Sequence, residues 1–180
     1  MLLLQTMMLF FSLFVPPVVT GETLTIVNKS THELVVYQYG EQIYKAEVST
    51  GKTEELTPEG EFTFKVKAVD PYYRKKDIPG GHPDNPLGSR WIGFDAKGSD
   101  GRIYGVHGTN RPSSIGKSVS AGCIRMNNKQ VEKLYTIVEE GSKVIIVKDN
   151  SNYEEIYNSW ERKQWDAMFS QVLSKEKPRA

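Results

Sequence analysis

The 180-residue chain reads as a mainly β protein with one or two short helices plus a C-terminal amphipathic helix. Three observations predict this. Between residues 22 and 148, short runs rich in β-branched and aromatic residues recur, separated by Gly, Pro and Asn turns. A helical period follows Asn127, with Val131, Leu134, Tyr135 and Val138 on one face. A second helical period fills residues 151–174.

In chain order, residues 23–27 alternate as a strand and stop at the turn Asn28-Lys29-Ser30. Residues 33–39 form a second strand, Gly40-Glu41 turns, and residues 42–48 return as a hairpin. Thr57-Pro58-Glu59-Gly60 is a further turn, with Pro presetting φ and Gly permitting positive φ. Residues 61–69 place Phe62, Phe64, Val66 and Ala68 on one face of a half-buried strand. Residues 70–89 are a Pro- and Gly-rich loop, longer than the roughly 12–15 residues at which connections become functional or disordered. Tyr72, Tyr73 and His82 make it a candidate binding loop. Strands at 90–94 and 102–106 flank a turn at 95–101. Asn127 is placed to cap the first helix and Gly141 to end it. Residues 143–147 are the last strand.

The tail repeats Tyr153, Ile156, Tyr157, Trp160, Gln164, Ala167, Met168 and Val172 at helical spacing. That face packs on the domain, meets a partner or a second copy through Trp160, Trp165 and Phe169, or closes as a lid.

Composition limits the function classes. Hydrophobic residues make up 38% and charged residues 25%, which excludes a mostly disordered, collagen-like or multi-span membrane chain. The net charge of +1, from 23 basic and 22 acidic side chains, offers nothing to attract nucleic acid or an anionic membrane. A single cysteine, Cys123, excludes an intrachain disulfide. Residues 1–20 carry no charged side chain. Their apolar stretch is short for a span of about 20 residues and suits the centre of a secretory signal. Val19 and Gly21 fit the small positions before a cut at Glu22. An uncleaved anchor and a buried core segment are the alternatives. A signal or an anchor exports the chain, and membrane association comes only through an uncleaved N-terminus. The expected division is a signal or anchor at 1–21, a domain at 22–148 and a helical extension at 149–180.

Few residues can do chemistry. His32 sits in a surface turn, and His82 in the Pro/Gly loop is either a substrate contact or simply exposed. His107 ends a strand and precedes Gly108-Thr109-Asn110, while Cys123 follows Ser120-Ala121-Gly122. A free thiol is only a few per cent ionised at pH 7, so a nucleophilic cysteine needs an imidazole to take or share its proton. Backbone N–H groups must face the developing oxyanion, each worth roughly 2.7–4 kcal/mol of barrier. Gly122 lets backbone amides approach a substrate closely. Arg125 adds a cation that supports a thiolate or grips a carboxylate with its planar fork. His82, His107 and Cys123 lack the short spacing of a zinc site.

His107-Gly108-Thr109-Asn110, Pro112-Ser113-Ser114-Ile115-Gly116 and Val119-Ser120-Ala121-Gly122-Cys123-Ile124-Arg125-Met126 together resemble the signature of L,D-transpeptidases of the YkuD type. Segments 49–52, 57–62 and 85–92 resemble the family's other recurring pieces, in its order. The resemblance covers about residues 22–148. It implies a β-sandwich or flattened barrel that acts on peptidoglycan stem peptides, with no metal or organic cofactor. Cys123 is the implied nucleophile and His107 the base and later the acid, with the Gly108 carbonyl orienting the ring. The N–H groups of Gly122 and Cys123 are the expected oxyanion donors. Arg125, Ser120, Tyr104 and Trp91 are the expected substrate-binding residues. Water as acceptor makes the same site an L,D-carboxypeptidase, and a site that binds without turnover is a wall-binding module. Many relatives carry histidine directly before the Gly-Cys pair where this chain has Ala121. We read that as a change in groove or in pKa tuning, since His107 supplies the one imidazole the chemistry needs.

Overall fold

The computed structural model describes residues 23–175, so the expected signal or anchor at 1–21 lies outside the described residues. Ten strands are present: β1 (Leu24–Asn28), β2 (Glu33–Gln38), β3 (Glu41–Glu47), β4 (Thr50–Gly51), β5 (Gly60–Val69), β6 (Arg90–Phe94), β7 (Tyr104–His107), β8 (Ser118–Ser120), β9 (Ile124–Arg125) and β10 (Lys143–Val147). Two α-helices join them, α1 (Asn128–Ile137) and α2 (Tyr153–Lys175). Eight strands form one sheet in the order β3-β2-β1-β10-β5-β6-β7-β9, and β4 pairs β8. β1 with β10 and β7 with β9 are the parallel pairs of that sheet.

The sheet curls until its edges meet. Two residues beyond β3, at one edge, Ser49 exchanges both backbone hydrogen bonds with Arg125 of β9, at the other edge, each 2.9 Å. Inside the curl lies a core of Val27, Leu34, Val36, Phe64, Ile92, Phe94, Val106, Ile124 and Ile146. Helix α1 closes it with Val131 and Leu134. A second core, Leu24, Ile26, Val35 and Tyr37 against Tyr157 and Trp160, covers the outer face of β1 and β2. β1 is therefore buried along its whole length, although its sequence alternates like a strand with one wet face. The expected mainly β architecture with a C-terminal helix is what the chain forms. Among the described residues no helix is long and apolar enough to cross a membrane.

Three local expectations are corrected. The strand expected at 102–106 begins at Tyr104, because Asp100 takes hydrogen bonds from the Arg102 amide and guanidinium and prolongs the turn. Asn127 holds the N-cap position of α1, yet its side chain does not cap. Gly141 does not end α1: the helix stops at Ile137, and Lys67 of β5 reaches its C-terminal carbonyls Tyr135 and Val138 at 2.7 Å each. A cation there satisfies carbonyls that the helix leaves unpaired. Gly141, at φ +96°, instead makes the turn into β10.

A buried cation shapes the turn before β5. Lys29 is 8% exposed, and its Nζ donates to the carbonyls of Glu54 (2.6 Å) and Thr57 (3.1 Å) and to the Glu59 carboxylate (2.8 Å). It holds residues 54–59 against the body.

The tail helix packs by its first two turns. Tyr157 stacks on Tyr37 with ring centroids 4.8 Å apart, and Trp160 is 7% exposed. Trp160 is thus committed to its own domain, not to a partner face. Further along, Val172 and Leu173 are exposed. Trp160→Ala should therefore cost about 3 kcal/mol in urea unfolding, in the range for burying a large aromatic. Leu173→Ala should stay within about 0.5 kcal/mol of the parent.

Candidate active site

The parallel β7–β9 pair sets His107 beside Arg125 and Val106 beside Ile124. One residue before that ladder, Cys123 brings its thiol to the Gly105 amide. Paired residues share a face of a sheet, so imidazole and guanidinium lie on one side, with Cys123 immediately before the same strand. A Cβ on Gly105 would lie 2.8 Å from the Trp91 ring, so the position has to be glycine.

Trp91 stands directly across β6–β7 from His107, and their rings stack at 5.5 Å with planes 16° apart. The Trp91 Nε1–H donates to the Gly101 carbonyl at 2.9 Å, which fixes the indole. On the imidazole itself, Nδ1 lies 2.6 Å from the Gly108 carbonyl oxygen. A carbonyl only accepts, so Nδ1 carries the proton and the neutral ring keeps its lone pair on Nε2. Burial pulls the pKa of His107 down from 6.5 to about 4. The Gly108 and Leu87 carbonyls oppose that pull, and the Arg125 charge adds to it.

Cys123 is half-buried, and its thiol donates to the Ile103 carbonyl at 3.4 Å. Burial pushes its pKa up, while the Gly105 amide and the charges of Lys75 and Arg125 pull it down less strongly. At neutral pH the resting site is therefore a neutral thiol with a neutral imidazole.

The turn into Cys123 is held on both sides of Gly122. The Gly122 N–H donates to Ser120 Oγ at 3.0 Å, and the Gly122 carbonyl accepts from Thr57 Oγ1 at 2.9 Å. Gly122 has φ +134°, and a Cβ on it would come within 2.6 Å of the Leu56 carbonyl. This corrects two expectations. The Gly122 N–H is spent on Ser120, so it is not a free oxyanion donor here. Ser120, at 1% exposure, is buried and fastens the turn rather than lining a groove. Trp91 is buried too and backs the imidazole. Tyr104 is half-buried with its ring edge against Gly122.

Arg125 lines a groove of about 470 Å³ with Tyr73, Lys76, Asp84, Asn110 and Arg111. The long loop forms one wall. It is well fastened: Asn85, buried, donates to the Pro71 and Pro79 carbonyls and accepts from the Leu87 amide. Asn128 Oδ1 accepts from the Thr109 amide at 3.0 Å and faces Gly88 and Gly108, where a Cβ would come within 2.2 Å and 2.1 Å of it. It thereby holds the Gly108 carbonyl that orients His107.

His82 is exposed in the adjoining groove, with the Asp84 amide on its Nδ1. His32 bonds Ser118 Oγ in its turn, away from the thiol. Among the described residues no group of three His, Cys, Asp or Glu gathers for a metal. The supports Thr57, Asn85 and Asn128 were not singled out from sequence. Thr57 and Asn85 lay in segments marked by resemblance, but nothing in their spacing indicated a role.

Residues 22–146 match the L,D-transpeptidase catalytic domain family, YkuD. L,D-transpeptidase YqjB of Bacillus subtilis is 59% identical over 136 residues, covering 76% of this chain and 77% of that protein. L,D-transpeptidase YkuD of Bacillus licheniformis is 33% identical over 138 residues, covering 75% and 73%. An L,D-transpeptidase from Mycobacterium smegmatis superposes with a TM-score of 0.54 at 26% identity, covering 70% of this chain and 58% of that one. L,D-transpeptidase 3 from Mycobacterium tuberculosis shares the fold, with a TM-score of 0.55 at 20% identity, covering 71% and 61%. The chain belongs to the L,D-transpeptidase catalytic domain family, cysteine-dependent acyltransferases that act on peptidoglycan stem peptides.

The buried imidazole makes stability depend on pH. An unfolded histidine binds its proton near pH 6.5 and the folded one near pH 4, so the unfolded state holds more protons between those values. Stability is full above pH 6.5 and falls as pH drops to 4, by about 3 kcal/mol for this group. Urea unfolding across that window should show the slope, and His107→Gln should flatten it.

Proposed function

We propose that this family member is an exported L,D-transpeptidase that crosslinks the cell wall through an acyl-enzyme on Cys123. The observation that supports this reading is the Nδ1–H bond of His107 to Gly108, on a ring that pairs by register with Arg125, two residues after Cys123. Sγ attacks the carbonyl between the diamino acid and the terminal D-alanine of a tetrapeptide stem. The thiol proton passes to His107 Nε2, an S–C bond forms, and negative charge moves to the carbonyl oxygen. His107 then returns the proton to the leaving nitrogen, the C–N bond breaks and D-alanine departs. An acceptor amine gives its proton to His107, attacks the thioester and regenerates the thiol. Water in place of the amine gives the carboxypeptidase outcome.

With the Gly122 amide engaged by Ser120, the oxyanion falls to the Cys123 N–H. Arg125, Lys76 and Arg111 give the groove a cationic wall suited to a stem-peptide carboxylate. Ala121 is exposed, so the position where many relatives carry histidine lies outside the packed support of the site. Residues 22–148 are the catalytic domain and 149–180 the helical extension. The apolar N-terminus exports the chain as a signal or retains it at the membrane as an anchor.

The test is the intact mass of the protein after incubation with a tetrapeptide stem, or with a carbapenem as a family-type electrophile. The parent should gain one adduct and Cys123→Ala none. His107→Ala should acylate about a hundredfold or more slower, the scale of general-base catalysis. With an amine acceptor, a crosslinked dimer is expected. An adduct on Cys123→Ala, or a parent that shortens stems without ever joining two, would overturn the reading.

A further inference from the structure

We infer that Thr57 is a positioning residue for acyl transfer: its hydroxyl fixes the Gly122–Cys123 peptide and so aims the Cys123 N–H. The inference rests on the proposed role of Cys123. Thr57 lies 65 residues before Gly122 and is fully buried. Its Oγ1 accepts from the Gly51 N–H at 2.8 Å. That contact leaves the hydroxyl proton for the other neighbour, the Gly122 carbonyl at 2.9 Å. Both directions of the hydroxyl are thus assigned by chemistry, because an amide only donates and a carbonyl only accepts.

The Gly122 carbonyl and the Cys123 N–H belong to one planar trans peptide, in which C=O and N–H point opposite ways. Pinning the oxygen inward on Thr57 points the N–H away from Thr57 and out of the packed interior. That N–H lies outside the β7–β9 ladder, which begins at Ile124. The peptide before it is fixed as well, by the bond from Gly122 N–H to Ser120 Oγ. Thr57 is itself held. Lys29 grips its carbonyl, and Gly51 belongs to β4, which pairs with β8 immediately before the Cys123 turn. The turn at 54–59 thus acts as a buttress that reaches the nucleophile loop through this hydroxyl. Preorganised donors of this kind act on the charge that appears only in the transition state.

The experiment compares two reactions of the same thiol in the full chain. Acylation by a tetrapeptide stem builds an oxyanion, whereas alkylation by iodoacetamide is a displacement at saturated carbon and builds none at the reacting atom. Thr57→Val keeps shape and removes the hydroxyl. It should lower the acylation kcat by roughly tenfold to a hundredfold, with KM within about threefold, since one misaimed donor costs up to 10²–10³. Its alkylation rate and the pH midpoint of alkylation should match the parent. Thr57→Ser, which keeps the hydroxyl, should restore most of the acylation. If the valine variant does not fold, Thr57→Ala, which relieves the packing, should show the same split. Parental acylation in a folded Thr57→Val, or equal losses in acylation and alkylation, would overturn the inference. A parent that alkylates but never acylates would overturn the proposed function, and this inference with it.

Discussion

Everything at the site depends on two short strands lying parallel with a bare position between them. The register of β7 on β9 brings His107 to Arg125, and Cys123, just before β9, meets the Gly105 amide. A side chain at Gly105 would strike the Trp91 ring, and Trp91 is what the imidazole rests on. That glycine therefore leaves the room in which the indole backs the imidazole. β9 is only two residues long. It holds its place because Ser49 bonds its other side and so joins the two edges of the curled sheet. Closure of the sheet and assembly of the site are the same event.

Around this pair sits a ring of fixed backbone. Asn128 holds the loop whose carbonyl orients His107, and Asn85 ties down the long loop beside it. Ser120 and Thr57 grip the two peptides that flank Gly122. None of these four side chains needs to meet a substrate. Each satisfies a backbone group that burial would otherwise leave unpaired, and in doing so fixes its direction. The cost appears in the titrating groups. Burial leaves His107 neutral down to about pH 4 and raises the Cys123 pKa, so the thiol and the imidazole both rest uncharged.

The candidate reactive residues were legible in the sequence because their types are rare: one cysteine and three histidines leave few combinations. The strands were legible from alternation and turns, with errors where tertiary contacts decide. β1 looks half-exposed until α2 covers its outer face. Gly141 looks like a helix end until Lys67 arrives from β5 to take the helix carbonyls. α2 carries two apolar stripes, 153/156/157/160 and 165/168/169/172/173, rotated by about 140° at 100° per residue. Only packing shows that the first one docks on the domain. Thr57, Lys29 and Asn128 were illegible as supports for the same reason. A threonine in a turn, a lysine after a strand and an asparagine at a helix start all have ordinary local explanations. Their contacts join segments far apart in sequence, and Trp91 and Ser120 passed for substrate contacts until their burial was seen.

The central claim is that the site rests as a thiol beside a neutral imidazole protonated on Nδ1. The most direct measurement is ¹⁵N NMR of ring-labelled histidine in the full chain, followed from pH 8 to pH 3.5. The account predicts that His107 shows a protonated Nδ1 and a bare Nε2 at neutral pH, and takes its second proton only near pH 4. A ring protonated on Nε2, or one already doubly protonated near pH 6.5, would contradict it.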